Sequence, residues 1–289
     1  MTMPTAPAAK VFLVGAGPGD PELLTVKAHA LLGTADLILH DDLVPPAILA
    51  LAGPQAIIAN VGKRCGVKKI TQLEINRLMI SSARRGMRVV RLKSGDPGIF
   101  GRLAEELDAL EAAKVPLEIV PGITAAAAAA ASAGVSLTDR RTSSCLVIVS
   151  GHHAHENEHT EKPDWESLAR EDATVVVYMP GRDLAPLAAE LLAAGWPSST
   201  PAVVVSRAST PEERCWFASV VELRSAPRLE APSILLIGRS LARAQRRAQA
   251  ESATVAVEEE LQSLLRMIVI ESEQQSQTPS KNPERRLAR

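Results

Sequence analysis

A chain of 289 residues, 46% of them hydrophobic, is long enough for two domains and apolar enough to pack a core in each. Its 32 basic residues nearly balance 33 acidic ones and only 2% of the chain is aromatic, so neither a cationic surface nor a set of stacking platforms speaks for nucleic-acid binding. Cys65, Cys145 and Cys215 are far apart and form no C-x-x-C pair, which excludes a disulfide framework or zinc ribbon; with no membrane-length apolar run and no leader pattern, the expectation is a cytoplasmic protein.

Residues 1–10 are rich in Pro and Ala and read as a flexible N-terminus. From Val11 to about Val120, short apolar runs alternate with helical segments, the pattern of βαβ units and a mostly parallel sheet. Strands are predicted at Val11–Val14, Leu37–His40, Ala56–Val61, Val89–Leu92 and Leu117–Val120. Helices are predicted at Leu23–Leu32, Thr71–Arg85 and Leu103–Ala113, the second with Thr71 as N-cap, Glu74 three residues on and Gly86 at its end. These elements make an N-terminal α/β domain over residues 11–122.

Beyond Gly122 the character changes. Ala125 to Ala131 is an unbroken alanine run, a strong helix former with little bulk, expected to be buried and closely packed. Strands recur at Leu146–Val149, Thr174–Tyr178, Ala202–Ser206, Trp216–Val221 and Ile234–Ile237, and the runs on either side of Arg214 predict antiparallel pairing. A second α/β domain with a mixed sheet is therefore expected over residues 123–245. Residues 246–289 carry seven basic and seven acidic residues, with one amphipathic stretch at Val255–Ile270 and a polar end that reads as partly disordered.

Three of the first-half strands run into turns of small residues. These are Gly15-Ala16-Gly17-Pro18-Gly19-Asp20-Pro21, Lys93-Ser94-Gly95-Asp96-Pro97 and Pro121-Gly122-Ile123-Thr124. In an open α/β sheet, ligands bind outside the carboxyl ends of the strands, where unobstructed backbone approaches a small molecule. A dinucleotide fingerprint is not met: the third glycine of G-x-G-x-x-G falls on Asp20, and Pro18 removes a backbone donor from the turn. Between Val61 and Arg102 stand eleven basic residues against Glu74 and Asp96; Lys63, Arg64, Lys93 and Arg102 flank turns, where an anionic substrate would meet them.

The three turns, together with Asp41-Asp42-Leu43-Val44, Val61-Gly62-Lys63-Arg64 and Ile99-Phe100-Gly101-Arg102, resemble in their order the tetrapyrrole methylase family, from about Val11 to about Ser240. Val61–Arg64 and Ile99–Arg102 resemble in particular the members that methylate uroporphyrinogen III. The resemblance implies a two-domain fold, a mostly parallel N-terminal sheet and a mixed-sheet C-terminal domain, with the active site in the cleft between them. It also implies a homodimer that uses S-adenosyl-L-methionine, releases S-adenosyl-L-homocysteine and needs no metal. Pro18, Ser94, Gly95, Asp96, Ile99, Thr124, Ala125, Met179 and Ala208 match its cofactor-binding positions. Asp41 matches the candidate proton acceptor and Lys63 the candidate proton donor. The implied reaction places two methyl groups on uroporphyrinogen III to give precorrin-2, feeding sirohaem or cobalamin synthesis. An electron-rich pyrrole carbon attacks a sulfonium methyl directly, so the protein has mainly to align the reactants, exclude water and manage a proton.

Some positions depart from the family. Ser94 stands where Gly is common, Asp42 where Arg is common and Gly98 where Phe is common; Arg140 and Arg141 are candidates to restore the positive charge lost at Asp42. Two other readings stay open on these departures: methylation of a later corrin precursor, which Lys63-Arg64 argues against, and a catalytically silent cofactor-binding module. His152, His153, His155 and His159 lie in a polar, Glu-containing segment that reads as a solvent-exposed loop.

Overall fold

The computed structural model describes residues 10–62, 70–151 and 163–250. Lys63, Cys65, the histidines from His152 to His159 and the Val255–Ile270 stretch lie outside the described residues. The chain divides into two compact units, residues 1–244 and 245–289, and both sheets belong to the first.

Strands β1 (Val11–Gly15), β2 (Leu37–His40), β3 (Ile57–Asn60), β4 (Val89–Lys93) and β5 (Leu117–Val120) form a wholly parallel sheet in the order β3-β2-β4-β1-β5. The connection from β1 steps one way, to β2, and that from β4 steps the other way, to β5. Right-handed crossovers in opposite directions place their helices on opposite faces. Accordingly α1 (Val26–Leu32) and α2 (Pro46–Leu49) share a core with Val14, Ile38, Val90 and Leu92. Helices α3 (Gln72–Arg84) and α4 (Leu103–Ala112) pack with Val11, Leu13, Leu39 and Val89 on the other face. The period of two in a strand explains the sorting: Val90 and Leu92 face α1 and α2, while Val89, Arg91 and Lys93 face α3 and α4.

Local chemistry sets the helix ends. Thr71 and Glu74 form a reciprocal capping box at the start of α3, and Gly86, at φ +88°, follows its last turn. The single helix expected over Leu23–Leu32 is instead interrupted. A 3-10 turn covers Pro21–Leu23, Leu24 is extended, and the Thr25 hydroxyl accepts from the Ala28 amide at 3.2 Å, which starts α1 at Val26. A threonine able to cap outweighs the apolar spacing before it.

In the second half, α5 (Ala125–Ser132) precedes β6 (Cys145–Ser150), α6 (Trp165–Leu168), β7 (Ala173–Tyr178), α7 (Ala185–Ala193), β8 (Pro201–Ser206), β9 (Arg214–Ser219) and β10 (Ser233–Ile237). The sheet order is β6-β7-β10-β8-β9, with β6 parallel to β7 and the other pairs antiparallel. The antiparallel pair expected around Arg214 is β8 with β9. That last strand ends two residues earlier than expected, because the Glu222 carboxylate accepts from both the amide and the hydroxyl of Ser219 at 2.6 Å and turns the chain into a 3-10 segment. The alanine helix packs against Val176, Val203, Val205, Ile234 and Leu236, and α7 covers Val175, Val177, Val204 and Leu235 on the opposite face. Methyl-sized side chains let α5 lie close to its sheet, so four of its alanines are buried.

Candidate active site

Parallel pairing brings the carboxyl ends of the strands level: Gly15 lies beside Lys93, and Val14 beside Val120. The turns that follow are therefore neighbours, and they approach more closely than side chains would permit. A Cβ on Gly15 would stand 2.6 Å from the Gly122 Cα and 2.7 Å from the Gly95 carbonyl oxygen. Gly17 and Gly95 exchange backbone hydrogen bonds, with the Gly17 amide donating at 3.1 Å and the Gly95 amide at 2.8 Å. The predicted glycines thus meet in one place, for a steric reason.

Asp96 ties the second turn to the third. Its Oδ1 accepts from the Gly98 amide at 2.8 Å and its Oδ2 from the Gly122 amide at 3.0 Å. Both oxygens of this predicted cofactor residue are engaged by backbone, so its first contribution is to shape the turns. Ser94, Ile99 and Pro18 lie partly exposed on the same turns. Gly95 adopts φ +69°, and the position of its missing Cβ lies 3.7 Å from the Ala125 amide nitrogen, beside Thr124.

The second sheet reaches these turns through several contacts. The Tyr178 hydroxyl, at the end of β7, is hydrogen-bonded to the Thr124 hydroxyl and accepts from the Ala126 amide at 2.9 Å. The Tyr178 ring meets the Phe100 ring at 5.1 Å between centroids. Met179 follows with φ +52° and lies half-exposed. After β8, the Ser209 hydroxyl accepts from the Asp20 amide at 3.4 Å, while Ala208 is buried against the α5 core. Pro18, Gly95, Thr124, Ala125, Met179 and Ala208 are therefore drawn to one region of the fold. Left-handed backbone at Phe100, Arg102, Met179, Arg207 and Ser209 concentrates on the loops that border it.

Asp41 sits one strand further over, at the end of β2, where its amide donates to the Leu92 carbonyl at 3.2 Å. Its side chain is about one-third exposed and its Oδ1 accepts from Arg91. Sequence reasoning missed what lies beneath it. Arg91 Nε donates to Glu106 Oε1 at 2.9 Å, and Lys93 Nζ donates to Glu106 Oε2 at 2.9 Å, with Glu106 fully buried. Gln72 of α3 also donates to Glu106, at 3.3 Å. Burial works against the Arg91 charge, but the Asp41 and Glu106 carboxylates outweigh it and hold the guanidinium pKa above its ordinary value. Burial, and then the Arg91 charge, push the Lys93 ammonium below its ordinary value, and Glu106 offsets only part of this. Lys93 was expected to face an anionic substrate; it is 2% exposed, because its place in the strand alternation aims it at α4.

The other positively charged candidates divide similarly. Arg102 forms a two-pronged pair with Glu105 at 2.6 and 2.7 Å. Arg141 pairs with Asp139, whose carboxyl is pulled down to about 2 by the Arg141 side chain and backbone. Asp42 accepts from Asn60 at 2.8 Å, and Asn60 in turn accepts from the Gly62 amide at 2.8 Å, so this departure from the family cross-links the ends of β2 and β3.

Comparison with known proteins places this geometry. The model of the Tetrapyrrole (Corrin/Porphyrin) Methylases matches residues 10–224. A S-adenosyl-L-methionine-dependent uroporphyrinogen III methyltransferase of Methanosarcina barkeri is 40% identical over 79% of this chain and 91% of its own length. Siroheme synthase 2 of Aeromonas hydrophila is 40% identical over 82% of this chain, which spans only 50% of that longer protein. Among solved structures, the uroporphyrin-III C-methyl transferase of Thermus thermophilus complexed with S-adenyl homocysteine aligns with a TM-score of 0.68 at 40% identity, covering 80% of this chain and 93% of its own. The two sheets, the glycine turns between them and these matches together show that the chain belongs to the tetrapyrrole methylase family.

Proposed function

We propose that this protein is a S-adenosyl-L-methionine-dependent methyltransferase that places two methyl groups on uroporphyrinogen III, giving precorrin-2 for sirohaem or cobalamin synthesis. The observation that carries this reading is the meeting of Gly15, Gly95 and Gly122 at the carboxyl ends of β1, β4 and β5, in a chain that matches nearly the whole length of the Methanosarcina enzyme. The residues fit the cofactor. A side chain on Gly95 would fill the space beside Thr124 and Ala125, whereas glycine leaves backbone open to an adenosyl group.

Pro18, Ser94, Gly95, Asp96, Ile99, Thr124, Ala125, Met179 and Ala208 would hold the cofactor, Asp96 partly by fixing the two turns that carry the others. When bound, the cofactor supplies an electrophilic methyl on a sulfonium. The chain's own residues then have to bring a pyrrole carbon in line with it and remove a proton afterwards. Asp41 is the proton acceptor in this reading and Lys63 the donor. Half-exposed Phe100 and Met179 present apolar surface beside the turns, suited to excluding water from the reacting atoms.

The reading extends to a cytoplasmic homodimer, which sedimentation of the purified protein checks. The deciding assay is anaerobic incubation with S-adenosyl-L-methionine and uroporphyrinogen III, followed by product mass. A gain of two methyl groups is expected, and no gain in the presence of bound cofactor would leave a binding module without transferase activity.

A further inference from the structure

We propose that Arg91, Glu106 and Lys93 form a buried positioning unit that aims the Asp41 carboxylate. The inference rests on the reading of Asp41 as proton acceptor and adds residues that do not themselves touch substrate. Three features of the fold carry it.

The first is parity. Leu39 on β2, and Val89, Arg91 and Lys93 on β4, belong to the face covered by α3 and α4; Asp41 follows the end of β2, and the adjacent strand brings Arg91 up to its carboxylate. The second is geometry. The Arg91 guanidinium is held at several points: Nε on Glu106 at 2.9 Å, one terminal nitrogen on the Leu39 and Leu92 carbonyls at 3.3 and 3.2 Å, the other on Asp41. A planar fork fixed in this way has no freedom to follow a wandering carboxylate, so the carboxylate is fixed instead.

The third is charge. Glu106 accepts from both Arg91 and Lys93, so the three buried groups together carry one positive charge, and Arg91 delivers it to Asp41. This fixed counter-charge is a charge-assisted hold on the Asp41 carboxylate. Among the described residues, the backbone beside Asp41 is held as well: His40 Nδ1 lies 2.9 Å from the Asp41 carbonyl oxygen, and the next residue, Asp42, accepts from Asn60 at 2.8 Å. Glu106 itself is completed by Gln72 from α3.

The test uses the full chain, with kcat and KM of methyl transfer measured separately and cofactor affinity measured by calorimetry. Arg91→Lys keeps the charge but cannot span Glu106 and Asp41 together. It is expected to lower kcat by about 10²-fold, the scale of a small misplacement of a reacting group, with cofactor affinity unchanged. Its KM should stay near the parent value, because no group that touches substrate is changed. Glu106→Gln, of the same shape, weakens the hold on Arg91 and should lower kcat in the same direction, again with KM and cofactor affinity retained. In an Asp41→Asn background neither substitution should lower kcat further, because the unit acts only through Asp41.

Equal losses from Arg91→Lys with and without Asp41, or a raised KM in place of a lowered kcat, would overturn the positioning role. Near-normal kcat in Asp41→Asn alone would instead overturn the reading of Asp41 itself. If Arg91→Lys does not fold, the Glu106→Gln loss of kcat and its disappearance in Asp41→Asn decide the matter.

Discussion

The Tyr178 hydroxyl accepts a hydrogen bond from the Ala126 amide at 2.9 Å, so the end of a strand in the second sheet caps the first turn of the alanine helix. The same hydroxyl bonds Thr124, and the ring above it meets Phe100 from the turn that follows β4. One side chain thereby connects three segments that border the proposed cofactor site.

Tyr178→Phe keeps the ring contact and removes only the hydroxyl. The Ala126 amide and the Thr124 hydroxyl then lose a partner, and an unsatisfied buried donor costs about 1–3 kcal/mol. A lower melting temperature and weaker S-adenosyl-L-methionine binding are expected together, by calorimetry. Unchanged values in both would show that this hydroxyl does not organise the site.

Gly15→Ala tests the convergence of the turns. The added carbon would lie 2.6 Å from the Gly122 Cα, a distance that demands movement of backbone rather than of a flexible side chain. Overpacking of this kind costs about 1–3 kcal/mol, so the melting temperature should fall, and cofactor affinity should fall with it. A variant as stable and as tightly binding as the parent would show that the turns can separate without consequence.

Asp41→Asn addresses the proposed base. Proton transfer by a positioned side chain contributes about 10²–10⁴-fold, and a loss of kcat in that range is expected with cofactor affinity retained. A raised KM with kcat preserved would make Asp41 a substrate-binding residue.

Glu106→Ala addresses what the same buried cluster contributes to stability. It removes the anion shared by two buried cations, and breaking a buried ion pair by deleting one partner costs about 3–5 kcal/mol. Urea denaturation should report a loss of that order. Double replacement of Glu106 and Lys93 by apolar residues of similar volume should recover part of it, since the cost lies mainly in the charge left unpaired.

Much of this architecture is local in origin and was legible in the sequence. The Thr71–Glu74 cap, the helix of alanines and the strand runs that build both sheets are decided by residues within a few positions of one another, where propensity and spacing act directly. The glycine turns were legible for the same reason, because a backbone that must pass close to another excludes side chains whatever the partner. What only the tertiary structure decided is which polar side chains meet. Lys93 reads in the sequence as a turn residue that would meet an anionic substrate, yet it and Arg91 are buried on a glutamate 13 and 15 residues away. Tyr178 finds Thr124 across 54 residues, and Asp96 finds the Gly122 amide across 26. Alternation along a strand states which face a side chain takes; whether a charge on that face is exposed or paired depends on the helix that covers it, and that is set by the crossover of the chain.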